Sequence, residues 1–350
     1  MNKKLVPRLW RPFLFLVLLG VFYGTALAED FYQDKTIRFV LGFSAGGGYD
    51  TYTRAIARHM GKHIPGNPTI VVENMTGAGS LIAANFVYNR AEPDGLTVGI
   101  WSSTLVLRQA LGEKTIRFDA RKLQWIGTPT KDTPACAVMA FTGMRTLEDV
   151  LNAKRPLNVG STGSGTTFGL PTILNQVLGK KFELITGYKG TSKIRVALQA
   201  HEMEGICYTW ESMRTTGRSL LDAQGGDELI PFIIHRRFDD PEVKDLPLVT
   251  DVIKGEKNLA IYNAWVATYE FFRPFSVPPE TPKKRVQILR SAFKATLDDP
   301  EFLSEMKKAN LPTVYVSPGE IEGHVKDIFS ISPETKKALK FLIPSGKKKK

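Results

Sequence analysis

The chain has 350 residues, of which 43% are apolar and 23% charged, and its formal net charge is +12. This composition is ordinary for a globular protein, and it excludes collagen-like, disordered and disulfide-scaffold classes. At this length a single hydrophobic core has usually stopped growing, so two domains are expected.

The positive charge is concentrated at the two ends of the chain. Eight of the twelve excess charges come from Lys3, Lys4, Arg8, Arg11 and the four lysines of residues 347–350, which leaves +4 for the body. The body carries no basic stretch interleaved with aromatic residues and no zinc-finger signature, so we expect no nucleic-acid partner. Residues 347–350 are predicted to be a solvated basic tail.

The N-terminus has the pattern of a secretory signal peptide. Its basic residues are followed by an uncharged stretch, residues 12–28, that ends in the small-x-small triplet Ala26-Leu27-Ala28. This pattern predicts a signal peptide over residues 1–28 with cleavage after Ala28. The alternative is an uncleaved membrane anchor, but the stretch is shorter than the ~20 residues of a spanning helix.

Export bears on the two cysteines, Cys136 and Cys207. In an oxidising compartment they can form a disulfide, and the alternative is two separate buried thiols; the residues leave both open. The five histidines show no metal-ligand spacing, so no metal site and no cofactor are predicted.

A strand, a turn of small polar residues and an amphipathic helix recur six times. The six strands are predicted at residues 36–41, 69–73, 96–100, 157–160, 182–186 and 205–208. Three such units form one doubly wound half, so the pattern predicts two doubly wound α/β domains.

The domain boundaries follow from the spacing of these units. The first part of the first domain is predicted to cover residues 29–130, and the second domain residues 131–229. The chain is then predicted to return to the first domain over residues 230–346. Within the last stretch, residues 230–234 and 263–268 are expected to be strands. Helices are expected at 284–297 and 301–310.

The turns after the strands point to a small-anion site. In an open parallel sheet, ligands bind beyond the carboxyl ends of the strands, where the first N–H groups of each helix lack intrahelical partners. Such turns suit a carboxylate. A nucleotide is disfavoured, because no phosphate-binding loop is present and Gly163-x-Gly165-x-x-x-Gly169 misses the dinucleotide fingerprint. A single turn of this kind often only caps a helix, but the set favours a ligand cleft.

Some candidate residues have two interpretations. Asp50 either orders the glycine turn or contacts the ligand, and the structural role is favoured. Lys189 either neutralises a second carboxylate or is solvated. Tyr208 and Trp210 either pack on the ligand or fill the core between the domains, and Ser80 is expected to cap the helix that follows it.

The motifs resemble a known family. Ile37-Arg38-Phe39-Val40 leads to Gly46-Gly47-Gly48-x-Asp50, and Val71-Val72-Glu73-Asn74 is followed by Gly77-Ala78-Gly79 and Pro93-Asp94-Gly95. In the second half, Gly160-Ser161-x-Gly163-x-Gly165-Thr166 and Tyr188-Lys189-Gly190 fit as well. In order and spacing the chain resembles the substrate-binding proteins of tripartite tricarboxylate transporters, the Bug family.

The resemblance implies a periplasmic clamshell of the periplasmic binding protein type II kind. It would close on a small carboxylate and deliver it to the integral membrane permease subunits of the transporter. The ligand would be held between residues 44–48 and residues 161–167, and the protein is expected to be a monomer. Two departures change the pocket: Ser44-Ala45 replaces the usual Pro-Pro pair, and Tyr49 replaces the usual Thr.

Together the turns and the resemblance give the candidate ligand-binding residues. They are Ser44, Ala45, Gly46, Gly47, Gly48, Asp50, Thr76, Gly77, Ala78, Gly79, Ser80, Ser102, Ser103, Ser161, Gly163, Ser164, Gly165, Thr166, Thr167, Tyr188, Lys189 and Trp210.

Two other functions compete with transport. A secreted hydrolase is disfavoured, because the sequence has no Gly-x-Ser-x-Gly elbow and no His-Glu-x-x-His motif, and no catalytic residues are predicted. A sensor that docks on a membrane receptor is not separable from a transport protein by sequence.

Overall fold

A computed structural model describes residues 31–237 and 240–343 of the chain. The predicted signal peptide at 1–28 and the basic tail at 347–350 lie outside the described residues. No helix within the described ranges combines the length and the apolar character that a membrane span requires.

Ten strands form two five-stranded sheets. In chain order they are β1 (Thr36–Leu41), β2 (Thr69–Asn74), β3 (Thr97–Ile100), β4 (Gln124–Gly127), β5 (Pro134–Met139), β6 (Leu157–Ser161), β7 (Phe182–Thr186), β8 (Gly205–Thr209), β9 (Leu229–Ile234) and β10 (Phe275–Val277). The first sheet has the order β2-β1-β3-β10-β4 and the second β7-β6-β8-β5-β9. We call the elements around them the first lobe and the second lobe.

Fourteen α-helices connect these strands within the described part of the chain. They are α1 (Gly48–Met60), α2 (Leu81–Asn89), α3 (Thr104–Ala110), α4 (Leu147–Leu151), α5 (Gly165–Leu178), α6 (Thr191–Gln199), α7 (Trp210–Met213), α8 (Arg218–Leu221), α9 (Val249–Val252), α10 (Glu256–Val266), α11 (Lys283–Asp298), α12 (Pro300–Lys308), α13 (Pro318–Phe329) and α14 (Pro333–Ala338).

The two sheets are built alike. Three strands of each lobe run parallel, β2-β1-β3 and β7-β6-β8, and the next strand in the order, β10 or β5, pairs antiparallel to them. All six predicted strand, turn and helix units are present at the expected places. The two-domain α/β fold expected from the sequence is therefore confirmed.

The apolar spacing explains why these helices form. In α1 the predicted apolar face of Tyr52, Ala55, Ile56 and Met60 is fully buried against the first sheet. A spacing of three and four residues places such side chains on one face of a helix, and their burial supplies most of its stability.

The expected strand at residues 263–268 is wrong. These residues continue α10 and then form a 3₁₀ helix, Ala267–Phe271. The buried side chains of α10 are Ile261, Tyr262, Trp265 and Val266, and this spacing is helical. Residues 263–268 resemble a strand only when they are read without the preceding part of the helix, residues 256–262.

The return of the chain comes later than residue 230. Strand β9 pairs with β5 in the second sheet, and the chain rejoins the first sheet only with β10. Further along, Leu339 and Leu342 are buried in a core cluster shared with α5 and α10. The sequence pattern correctly shows strand 230–234 but carries no information on which sheet it joins.

The structure bonds Cys136 to Cys207, one of the two possibilities left open by the sequence. The two residues are directly opposite each other in the antiparallel pair of β5 and β8. Both are about 1% exposed. The bond therefore joins two central strands of the second sheet.

Candidate functional site

A small cavity of about 50 Å³ lies where the lobes meet. Helices α1 and α5 both begin at its wall, at Gly48 and Gly165, and neither helix has a side-chain cap. Uncapped helix N-termini leave N–H donors and a partial positive charge facing the cavity. We call this space the Arg273 cavity, after the buried arginine in its wall.

Six of the candidate residues line the Arg273 cavity. They are Gly47, Gly48, Ser164, Gly165, Thr166 and Thr167. The first two come from the turn after β1 and the rest from the turn after β6. The structure thus brings together the two turns that the resemblance placed around the ligand carboxylate.

A second, larger cavity of about 520 Å³ shares two wall residues, Phe43 and Thr162, with the first. Seven candidates line it: Gly77, Ala78, Gly79, Ser80, Gly163, Tyr188 and Lys189. We call it the Lys189 cavity. The exposed Lys189 therefore lies outside the Arg273 cavity.

Nine candidates line neither of these two cavities: Ser44, Ala45, Gly46, Asp50, Thr76, Ser102, Ser103, Ser161 and Trp210. Trp210 is fully buried in the core of the second lobe, and its indole N–H donates to Asp240 at 2.8 Å. Trp210 therefore fills the core of the second lobe, and not the core between the domains that was the alternative to stacking on a ligand.

Asp50 orders the turn after β1. Its carboxylate accepts hydrogen bonds from Arg54, from Asn74 and from the backbone N–H of Gly46. Burial alone would raise the pKa of Asp50, but these hydrogen bonds outweigh it and lower the pKa below its ordinary value. This geometry agrees with the structural role that was favoured for Asp50.

Several other candidates hold the lobes together. The backbone N–H of Ser44 donates to the Lys189 carbonyl at 2.9 Å. The Ser192 hydroxyl lies 3.1 Å from that of Ser44 and donates to the Ala45 carbonyl at 2.8 Å. Arg195 donates to the Gly46 carbonyl at 2.8 Å. We call this the first contact strip.

A second contact strip joins the turns after β2 and β3 to the turn after β6. The Ser164 hydroxyl donates to the Gly79 carbonyl at 2.7 Å, and the Gly165 N–H donates to the Thr104 hydroxyl at 3.1 Å. Arg108 donates to the Gly163 carbonyl at 3.1 Å. With both strips formed, the structure represents the closed arrangement of the lobes.

Ser80 and Ser102 support the second strip from the first lobe. The Ser80 hydroxyl accepts from the Ser102 N–H at 3.0 Å, and the Ser102 hydroxyl lies 2.8 Å from that of Thr104. The expected helix cap at Ser80 is therefore wrong, because Ser80 has a left-handed backbone and makes no capping hydrogen bond. Its hydroxyl is occupied by the neighbouring strand end.

Arg273 is a residue of the cavity wall that the sequence analysis missed. This residue is 1% exposed and lies in the segment where the chain returns from the second lobe to the first. Its guanidinium pairs with the fully buried Asp132 and donates to Ser212 at 3.0 Å through Nη2. An arginine inside the apolar run of residues 271–275 is the signal that could have marked it as buried.

Three side chains of the Arg273 cavity wall have a buried polar atom without a partner. They are the Tyr49 hydroxyl and Arg273 Nη1, and also the Tyr208 hydroxyl, which packs against Gly217 in the second lobe rather than against the cavity. Buried polar groups in proteins are normally paired, so each unpaired one calls for an explanation such as a ligand. Burial raises the pKa of both tyrosines, so both hydroxyls stay protonated as donors.

A second buried acid, Glu211, lies near Asp132. It accepts from the Thr133 N–H at 2.8 Å, and it is 5% exposed. Burial, and then the charge of Asp132, raise the pKa of Glu211 to about 8. At neutral pH the group is therefore mostly uncharged, and Asp132 and Arg273 form the charged pair.

Together the fold and the cleft define a two-lobe binding protein of the periplasmic kind, and comparison with known proteins gives its family. The family described as "Tripartite tricarboxylate transporter family receptor" matches residues 52–330. The chain belongs to this family of receptors, which confirms the resemblance seen in the sequence.

Individual relatives are more distant. A Cupriavidus necator protein, described only as a UPF0065 protein in the gbd 5' region, is 27% identical over 307 residues, covering 85% of this chain and 86% of the relative. The periplasmic binding protein BugD has a TM-score of 0.70 at 22% identity, over 89% of this chain and 98% of its own. MatC from Rhodopseudomonas palustris with bound malate has a TM-score of 0.66 at 20% identity, over 88% of this chain and 99% of its own. These structures share the fold.

Proposed function

We propose that this protein is a periplasmic solute-binding protein that captures a small carboxylate between its lobes and delivers it to the membrane permease of a tripartite tricarboxylate-type transporter. The observation that carries the proposal is the pair of unpartnered buried polar groups in the wall of the Arg273 cavity, the Tyr49 hydroxyl and Arg273 Nη1. A carboxylate has acceptor oxygens for these groups and for the helix N-termini.

Family membership supports the same function. The family is one of transporter receptors, and a relative of the same fold carries malate, which is a carboxylate. The ligand would bind and leave unchanged, so no catalytic residues are assigned. The proposed partners are the solute and the permease subunits, with the binding protein acting as a monomer.

Thermal unfolding of the purified protein against mono-, di- and tricarboxylates tests the proposal. A ligand that binds only the folded state, at 100 times its dissociation constant, adds about 2.7 kcal/mol of stability and visibly raises the midpoint. The acid should be recovered unchanged, as measured by NMR. Failure of every carboxylate to raise the midpoint would contradict the proposal, and consumption of an acid would favour an enzyme.

A further inference from the structure

The geometry of Arg273 leaves one edge of its guanidinium free. Nε and Nη2 are held by Asp132, and Nη2 also reaches Ser212. Nη1 has no partner and faces Gly48, where an added Cβ would lie 2.7 Å away. The free nitrogen is thus fixed in direction and lies at the wall where α1 begins.

The surroundings hold this guanidinium in place. Its carbon lies 5.2 Å from the ring centre of Tyr49, 4.5 Å from that of Tyr52 and 5.5 Å from that of Phe272. Arg273 also has a positive φ of 61°, a conformation that is uncommon for a residue with a side chain. Strain of this kind persists only where the surrounding structure enforces it, and it is concentrated at functional sites.

The charges around the cavity favour a ligand with one negative charge. Among the described residues that line it, Arg273 is the only cation, and the remaining walls are aromatic side chains, glycines and hydroxyls. Asp132 already neutralises Arg273 from behind, so the positive charge that remains is that of the uncapped N-termini of α1 and α5, about half a charge each. Together these balance one carboxylate. A second carboxylate in this space would be desolvated without a cation to balance it, which is costly.

The size of the cavity limits the rest of the ligand. At about 50 Å³ it is far smaller than the ~150 Å³ cavity that admits a benzene ring. A ligand long enough to reach Lys189 would have to pass the shared wall of Phe43 and Thr162. The space therefore fits a carboxylate with a short apolar chain.

We infer that Arg273 anchors the carboxylate through Nη1 and that the aromatic walls take a short, uncharged aliphatic remainder, so the solute is a small monocarboxylate. This inference rests on the proposed function, and it names the ligand class of the same site. Arg273 acts as a binding residue, because it contacts the solute directly.

Isothermal titration of the purified protein with acids of matched carbon number tests the inference. Butyrate is expected to bind at least tenfold more tightly than succinate, and the neutral isostere butyramide should not bind. Arg273→Gln should weaken butyrate binding at least thirtyfold, and Arg273→Lys should restore part of the loss. Arg285→Gln is the matched control, since Arg285 lies over the Phe31 ring and lines neither of the two cavities.

A second variant guards against misfolding. Removing Arg273 alone leaves the buried Asp132 without a partner, which is strongly destabilising. The double variant Arg273→Gln with Asp132→Asn removes both charges, and it should unfold cooperatively yet still fail to bind butyrate. Undiminished binding by the folded double variant would overturn the role of Arg273.

The outcomes separate the inference from the proposed function. Tighter binding of succinate or of a longer dicarboxylate would overturn the monocarboxylate assignment and leave the carboxylate-binding function standing. If no carboxylate binds, both fail. Selective butyrate binding that is lost in the Arg273 variants supports both.

Discussion

The Arg273 cavity and the two contact strips are built from the same kinds of residue, yet they differ in what is left unpaired. In the strips, the hydroxyls and backbone groups of Ser44, Gly79 and Gly165 are hydrogen-bonded across the lobes. In the cavity wall, Tyr49 and Arg273 keep free donors. Glycine, serine and threonine turns therefore seal the closed form, and the turn after β6, through Ser164 and Gly165, also lines the cavity proposed for the solute.

The cavity differs from the contact strips in having a wall strand that is held by a covalent bond. Removing the disulfide tests how much this bond stabilises the protein. Strand β8 carries Tyr208 and Thr209 into the wall, and Cys207 fixes it to β5. Replacing both cysteines with alanine should lower the free energy of unfolding by about 4 kcal/mol, because the bond spans 71 residues. Urea denaturation, with and without reductant, measures the loss.

The control for this experiment is the effect of reductant on each protein. Reductant should lower the stability of the natural chain and leave the double alanine variant unchanged. Two free thiols titrated in denatured, unreduced protein would show that the bond is absent.

A side chain at Gly48 should weaken solute binding strongly, because it crowds Arg273 and Ser212 in the cavity wall. A Cβ at Gly48 would lie 2.2 Å from the Ser212 hydroxyl and 2.7 Å from Arg273 Nη1. Gly48→Ala should therefore weaken solute binding about 100-fold, equivalent to about 2.7 kcal/mol. Alanine has the higher helix propensity, so α1 itself should not be weakened.

Gly323→Ala is the matched control for this substitution, because a Cβ at that helical glycine meets no atom within 4 Å. Titration with the solute that raises the unfolding midpoint measures both variants. Equal affinity of Gly48→Ala and the natural chain would place the solute elsewhere.

Sequence predicted the repeating units well because each is a local pattern. Buried helix faces such as that of α1 follow from spacing alone, and the turns after β1 and β6 are recognisable from their glycines and hydroxyls. Whether a turn makes contacts between the lobes or lines the cavity depends on the residues of the other lobe. A local sequence pattern therefore cannot predict it. Ser164, for example, donates to the Gly79 carbonyl of the other lobe, 85 residues earlier in the chain.

Two residues of the cavity wall, Arg273 and Phe272, were not predicted from the sequence for a different reason. Arg273 and Phe272 lie in the returning segment, more than a hundred residues from the turns that they face. No periodic pattern marks them, because the segment is irregular and Arg273 has a positive φ. Pairing with Asp132, 141 residues away, is a property of the fold rather than of a motif.

Weakening a strip should reduce affinity far less than crowding the cavity wall at Gly48. Ser192 bridges Ser44 and the Ala45 carbonyl in the first contact strip and lines neither of the two cavities. Ser192→Ala should weaken binding about fivefold, because each such hydrogen bond contributes about 1 kcal/mol. The change should be in the dissociation rate, measured by stopped flow, since the closed form opens more readily.

Ser219→Ala is the control for the strip, because Ser219 is exposed and lies in α8. It should leave both rate constants unchanged. A loss as large as that of Gly48→Ala would mean that Ser192 contacts the solute.

The smallest expected effect comes from Glu211, whose raised pKa of about 8 gives the cavity a pH dependence. The raised pKa stabilises the folded protein below the ordinary value of the group, 4.5, and this contribution is lost as the pH rises through 8. Ionised Glu211 also adds a negative charge near Asp132 and opposes an anionic solute. Affinity should therefore fall about twofold between pH 7 and pH 8.

Glu211→Gln is the control for this pH dependence, because its amide oxygen still accepts from Thr133. Titrations at both pH values should show a smaller fall in affinity for this variant. An equal fall in both proteins would assign the pH dependence to another group.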